Sequence, residues 1–353
     1  MRLPLGVMLL LLGGCALSRT YYGAPLPLDA EILVAHASDG IDLPVIHYLP
    51  QGAQKHNTPI VLCHGLSANA RHMDLDAEHS LARWFAARGY ETFAMSLRGT
   101  WDEMLPPGAH GPDVAATNFD TYVNQDLPAV LALVKQRTGA TEVDYVGHSM
   151  GGMILYAYLA QGGQGIRAAA TLGSPVRLRM GSRNEPYIRA SGARWLDGVA
   201  AVPNAMLAPL TAPISPSLEG PVELLVVNLE NVDVAVWQRL MVVGTADMAG
   251  GVLRQFQKDL ADDRFESADG RVDYLAGLQK VKTPILVVAG KADRIAPTDA
   301  VKPAFRALAG EKRFFIAGTE QGFAFDYGHC DLTIGERAPE ELWPELQHWF
   351  EQH

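Results

Sequence analysis

The stretch Val146-Gly147-His148-Ser149-Met150-Gly151-Gly152 constrains this chain more than any other. It sits between a stretch at 143–146 that reads as a strand and a run at 150–159 that reads as a helix. A strand that turns straight into a helix leaves room only for small neighbours, which Gly147 and Gly151 supply. Ser149 is thereby expected to project alone at a helix N-terminus, where backbone N–H groups and the helix dipole favour negative charge. The plainer alternative is a glycine-rich turn whose serine only caps the helix.

A serine hydroxyl is a weak nucleophile until a base takes its proton. In a strand–serine–helix turn of this kind, acid and base follow in the order serine, acid, histidine. Beyond the apolar strand at 284–289, His348 lies on the terminal helix and His353 is the last residue. His329 instead stands in the loop Asp326-Tyr327-Gly328-His329-Cys330-Asp331, from which a base reaches back over the sheet edge. Asp293 follows the 284–289 strand directly and is the candidate acid, against a plainer role as a surface aspartate paired with Arg294. Asp326 and Asp331 are expected to cap the turn around His329.

An acyl-transfer site also needs two donors aimed at the developing oxyanion. Met150 N–H, just after the serine, is one candidate. Leu66 N–H is the other, with Gly65 permitting the reversal that turns it inward. His64 reads as a structural hydrogen-bonder. His64, His72 and His79 come with no metal-binding motif, so no metal is expected, and the chemistry calls for no cofactor.

Strand patterns at 31–49 (around the turn Ser38-Asp39-Gly40), 58–63, 90–95, 143–146, 168–172, 284–289 and 313–316 alternate with helical spacing. The helical runs are 75–87, 123–134, 150–159, 304–308 and a last one from Pro339. Such alternation implies an α/β fold, a mostly parallel sheet covered by helices on both faces. It breaks between 175 and 283, where prolines fall at 203, 209, 213, 216 and 221. Residues 31–174 and 284–353 are therefore expected to form the core, and 175–283 a largely helical cap inserted over the C-terminal sheet edge. Within it, 202–218 carries no charge and is expected to be buried or to line an acyl pocket, with Leu207 and Leu210 as substrate-binding candidates.

The formal charge of −10 argues against nucleic acid and against electrostatic docking on anionic lipid. Membrane attachment has another source. Residues 5–12 are apolar but too few to span a bilayer, and 1–14 reads as a signal peptide. Leu12-Gly13-Gly14-Cys15 resembles the lipobox of bacterial lipoproteins. That resemblance implies cleavage before Cys15, acylation of Cys15, and 15–30 as anchor and tether. It implies a lipid-anchored place in the bacterial envelope, at the outer membrane's periplasmic side or the cell surface. An ordinary secretory signal cleaved near Ala16 is the alternative. Cys63 and Cys330 could pair there, although Cys63 in an apolar strand also suits a free, buried thiol.

His64-Gly65-Leu66, Ser96-Leu97-Arg98-Gly99-Thr100-Trp101, Gly147-His148-Ser149-Met150-Gly151 and His329-Cys330-Asp331 are similar to motifs of the acid and gastric lipase group in the α/β-hydrolase superfamily. The resemblance implies an α/β-hydrolase fold with Ser149, Asp293 and His329 as catalytic triad. It also implies Leu66 and Met150 as the oxyanion hole, and Arg98 as a structural loop residue. The expected function is hydrolysis of a hydrophobic carboxylic ester through an acyl-enzyme. The cap carries no matching motif, so triglyceride is not implied. Serine at 149 departs from haloalkane dehalogenases and epoxide hydrolases, which use aspartate there, and from polyester synthases, which use cysteine. An acyltransferase or perhydrolase on the same triad is the first alternative. A non-catalytic, lipid-binding envelope protein is the second.

Overall fold

The computed structural model describes residues 30–52, 56–100, 104–178, 198–213 and 223–353. The leader, Cys15 and the tether lie outside them. Eight strands form one sheet: β1 Ala30–His36, β2 Asp42–Tyr48, β3 Ile60–Cys63, β4 Thr92–Met95, β5 Val143–His148, β6 Ile166–Leu172, β7 Ile285–Gly290 and β8 Lys312–Ala317. Their spatial order is β1-β2-β4-β3-β5-β6-β7-β8. β2 runs antiparallel to both β1 and β4, and every other pairing is parallel. This is the expected α/β-hydrolase architecture.

The central strands are short and apolar because both faces are covered. Successive residues point to opposite faces. Ile60 and Leu62 join Leu81 and Phe85 of helix α1 (Leu81–Ala87) on one side. Val61 and Cys63 join Leu127 and Val134 of α2 (Leu127–Thr138) and Ile154 of α3 (Met150–Ala160) on the other. Two helix starts differ from the sequence expectation, each for a capping reason. The run at 75–87 is helical only from Leu81, because Ser80 accepts the Arg83 N–H at 2.9 Å. The helix expected at 123 begins at Phe119, where Asn118 and Thr121 form a reciprocal capping box. It reaches α2 through a π-turn, Tyr122–Asp126.

Among its described residues, the segment between β6 and β7 adds no strand to the large sheet, but it is not uniform. Its first described part holds α4 (Asn204–Thr211), α5 (Val234–Arg239) and a two-residue ribbon pairing Ala201–Val202 with Met248–Ala249. Ala208, Trp237, Leu240 and Met241 build a separate small core there with Leu75, Cys330 and Ile334 of the body. Its second part, α6 (Gly250–Asp262) and the residues after it, sends Val252, Phe265, Tyr274 and Leu278 into the main core. The first part bonds the loop after β3 through Ser67 and Asn69, and the loop after β8 through Asp331. After β7, α7 (Thr298–Ala307) returns to the sheet, and α8 (Trp343–Gln352) closes the chain against α1 through Phe350 and Phe85.

Candidate active site

Ser149 ends β5 with φ 53° and ψ −119°, a backbone state that non-glycine residues rarely adopt. Steric exclusion around it explains the glycines. A Cβ at Gly147 would lie 2.5 Å from Gly152 N, and one at Gly151 would lie 2.4 Å from Cys63 O. The Ser149 N–H donates to Leu172 O at 2.8 Å, tying the turn to β6. Its side chain makes no capping hydrogen bond to α3, so the plain capping alternative fails.

His329 lies in the loop after β8 and Asp293 in the loop after β7. They meet at 2.8 Å between His329 Nδ1 and Asp293 Oδ2, and both are buried, at 5% and 4% exposure. A carboxylate only accepts, so Nδ1 carries the proton, and in the neutral ring the lone pair is on Nε2. Asp293 Oδ1 accepts the N–H groups of Ile295 and Ala296 at 2.9 and 2.7 Å, which fixes the carboxylate from behind. Asp293 makes no ion pair with Arg294 among the described residues. Gly173, at φ 57°, completes the packing: a Cβ there would come within 3.0 Å of Asp293 Oδ2 and 3.2 Å of His329 Nδ1.

Asp331 caps the turn around His329 as expected, whereas the Asp326 carboxylate caps the earlier turn at Thr319–Gln321 instead. Asp331 accepts Gly328 N–H at 2.7 Å and Asn228 N–H at 3.1 Å, and Asp326 accepts Thr319 N–H at 2.8 Å. Burial raises the Asp331 carboxyl to about 6 despite these bonds. Through Asn228 and Asn231, Asp331 also ties this loop to the inserted segment. Only the local half of that role was legible in the sequence.

Gly65 is not the residue at which the loop reverses. Its φ is not positive; the left-handed residue is Ser67, at φ 60°. Gly65 must be glycine because a Cβ would lie 2.9 Å from Ser149 Cβ and 3.4 Å from Ser149 Oγ. The Leu66 loop is thus pressed directly against the serine. Among the described residues, no hydrogen bond engages the N–H of Leu66 or of Met150.

Histidines surround His329. The His64 Nδ1–H donates to Gly65 O at 2.8 Å and Nε2 accepts the Leu97 N–H at 3.1 Å, the structural role expected. Burial lowers His64 to about 4 and His72 to about 3. The His148 ring lies between those of His72 and His329, with centroids 5.0 and 4.7 Å away. His148 Nε2–H donates to the His329 carbonyl at 3.0 Å, and burial holds this imidazole well below its ordinary value. Sequence reasoning passed over His148, although its place inside the serine turn was a signal that it would touch the site.

Arg98 is structural, as the resemblance implied. Its Nε donates to Asp126 at 2.7 Å, and the guanidinium also pairs with Asp39. Cys63 and Cys330 are both free and buried. On α4, Leu207 is 44% exposed and Leu210 half-buried, so Leu207 is not covered by the body as a uniformly buried stretch would require. No cluster of metal-ligating side chains occurs among the described residues.

The chain is similar to several known proteins. The poly(3-hydroxyalkanoate) polymerase subunit PhaC of Haloferax mediterranei is 23% identical over 332 residues, covering 87% of this chain and 61% of that subunit. Gastric triacylglycerol lipase of Bos taurus is 32% identical over 140 residues, covering 37% of this chain and 34% of the lipase. The chain therefore spans less than two thirds of either relative's length. An esterase of Exiguobacterium antarcticum superposes with a TM-score of 0.57 at 18% identity, over 90% of this chain and 98% of that one, a likeness of fold. The sequence profile of the family described as alpha/beta hydrolase fold matches residues 58–332. With that match over most of its length and the eight-stranded sheet behind the serine turn, the chain belongs to the alpha/beta hydrolase fold family.

Proposed function

We propose that this protein is a carboxylic ester hydrolase working through an acyl-enzyme on Ser149. The observation that carries the reading is the buried Asp293–His329 pair, tied through the His329 carbonyl to His148, next to a strained Ser149 whose hydroxyl makes no capping bond. Ser149 Oγ attacks the ester carbonyl carbon and its proton passes to His329 Nε2. Asp293 stabilises the imidazolium that forms. The N–H groups of Leu66 and Met150 hold the oxyanion. His329 then protonates the departing alcohol oxygen, and a water activated by the same nitrogen releases the acid. A fluorophosphonate probe is expected to label the parent protein and not Ser149→Ala, and nitrophenyl ester turnover is expected to fall by at least about 10⁴-fold. Labelling that persists on another serine would sink the assignment.

The substrate we infer is a hydrophobic ester. Support comes from the apolar side chains of α4, Leu207 and Leu210, and from the lipase likeness. Acyl transfer is the second reading, favoured by the likeness to a polymerase subunit over 87% of this chain. It uses the same acyl-enzyme with an alcohol hydroxyl in place of water. Ester product formed when a primary alcohol is added to the assay separates the two.

Lipid anchoring through Cys15, in a bacterial envelope, completes the proposal. It rests on the Leu12-Gly13-Gly14-Cys15 resemblance. Cys15→Ser is expected to shift the protein from the membrane pellet to the soluble fraction with its specific activity unchanged. A variant that fractionates like the parent excludes Cys15 as the anchor.

A further inference from the structure

Ser67 follows the proposed oxyanion donor Leu66 and adopts φ 60°, a left-handed conformation that residues with a Cβ mostly avoid. What holds it there comes from the inserted segment. Ser67 Oγ donates to Ala246 O at 3.0 Å, and the Ala246 N–H donates to Ser67 O at 3.0 Å. Asn204 Nδ2 donates to Ser67 Oγ at 2.6 Å. The hydroxyl both donates and accepts: its proton points to Ala246 O, and one lone pair takes the Asn204 amide. Asn204 opens α4, whose next residue Ala205 is fixed by its N–H on Asp247 Oδ1 at 2.9 Å. Beyond Ser67, Ala68 bridges Thr245, and Asn69 Nδ2 donates to Val243 O at 3.1 Å. On the other side of Leu66, Gly65 is pressed against Ser149. The Leu66 peptide is therefore held between the nucleophile turn and the inserted segment.

We propose that Ser67 and Asn204 are positioning residues for the oxyanion donor, so that the inserted segment sets the aim of the Leu66 N–H. The inference rests on the reading of Leu66 as that donor. An N–H stabilises the oxyanion only when it points at the place where charge develops, and deleting such a donor costs 10²–10³-fold in turnover. Loosening the loop misaims the donor without deleting it, so the loss is smaller. It falls on kcat rather than KM, because the contact matters only in the transition state.

Two variants test this with 4-nitrophenyl acetate. Ser67→Gly permits the left-handed backbone and removes both side-chain bonds. Asn204→Leu keeps the approximate side-chain shape and removes the amide donor. Each is expected to lower kcat about tenfold with KM within about twofold of the parent, and to slow fluorophosphonate inactivation by a similar factor. The double variant is expected to fall no further than Ser67→Gly alone, since both break one network. Rates are referred to enzyme titrated by complete fluorophosphonate labelling, which removes any unfolded fraction. Parent-like kcat in both single variants, a raised KM with kcat intact, or multiplicative losses in the double variant each overturn the proposal. Ser149→Ala is run beside them. If it keeps turnover, the underlying reading fails. If it is dead while Asn204→Leu and Ser67→Gly run at full speed, this inference alone fails.

Discussion

The turn around Ser149 and the segment inserted between β6 and β7 are held in opposite ways. At the turn, geometry follows from backbone packed tightly on backbone: Gly147 against Gly152, and Gly151 against the end of β3. The inserted segment is held by polar bonds across long stretches of chain, Asn69 to Val243 on the serine side and Asn228 to Asp331 on the histidine side. Steric exclusion demands one residue type at one spacing and leaves a motif. A hydrogen bond between distant stretches demands only a donor and an acceptor in the right places, and main chain or side chain can supply either. A recognisable motif thus belongs to the first region, while the second joins distant loops without one.

The pair of buried aspartates near His329 offers the largest break of that comparison. Asp293→Asn is expected to lower kcat by about 10²–10⁴-fold, because an amide cannot orient and stabilise the imidazolium. Asp331→Asn is expected to act on stability instead, at about 1–3 kcal/mol, by leaving the Gly328 or Asn228 N–H without its acceptor. Thermal unfolding and kcat measured on both variants decide it. A harmless Asp293→Asn beside a crippled Asp331→Asn would exchange their roles.

A smaller effect tests whether α4 contacts substrate. If Leu210 lines an acyl pocket, Leu210→Asp raises KM for decanoate esters about tenfold or more relative to acetate esters, by loss of apolar contact. Equal change on both esters leaves α4 with only its packing and positioning roles.

The smallest effect sharpens the contrast within the insertion itself. Asp259 on α6, in the part that packs into the body, is buried with neither carboxylate oxygen partnered. Burial, then the nearby Glu266, raises it to about 8. The folded chain therefore keeps this proton up to about pH 8, whereas the unfolded chain releases it near pH 3.9. With more protons bound in the folded state, stability falls as pH rises through that window. Asp259→Asn is expected to match the parent more closely at pH 5 and to exceed it by about 2 °C or more in Tm at pH 8. A Tm difference that does not change between pH 5 and pH 8 removes Asp259 from the pH response.

Residue order alone was enough for the strands, their alternation with helices and the serine turn, because burial on two faces and steric exclusion at Gly147 and Gly151 are written in residue type and spacing. The positions of Asp293 and His329 were legible for the same reason, as loop residues placed by the strands before them. Folding in three dimensions decided the rest. It put a positive φ on Ser67 rather than Gly65, divided the insertion between the main core and a separate small core, and gave Asp331, His148 and Asn204 their partners. Those outcomes depend on groups far apart in the chain meeting within about 3 Å, a distance that no local pattern of side chains encodes.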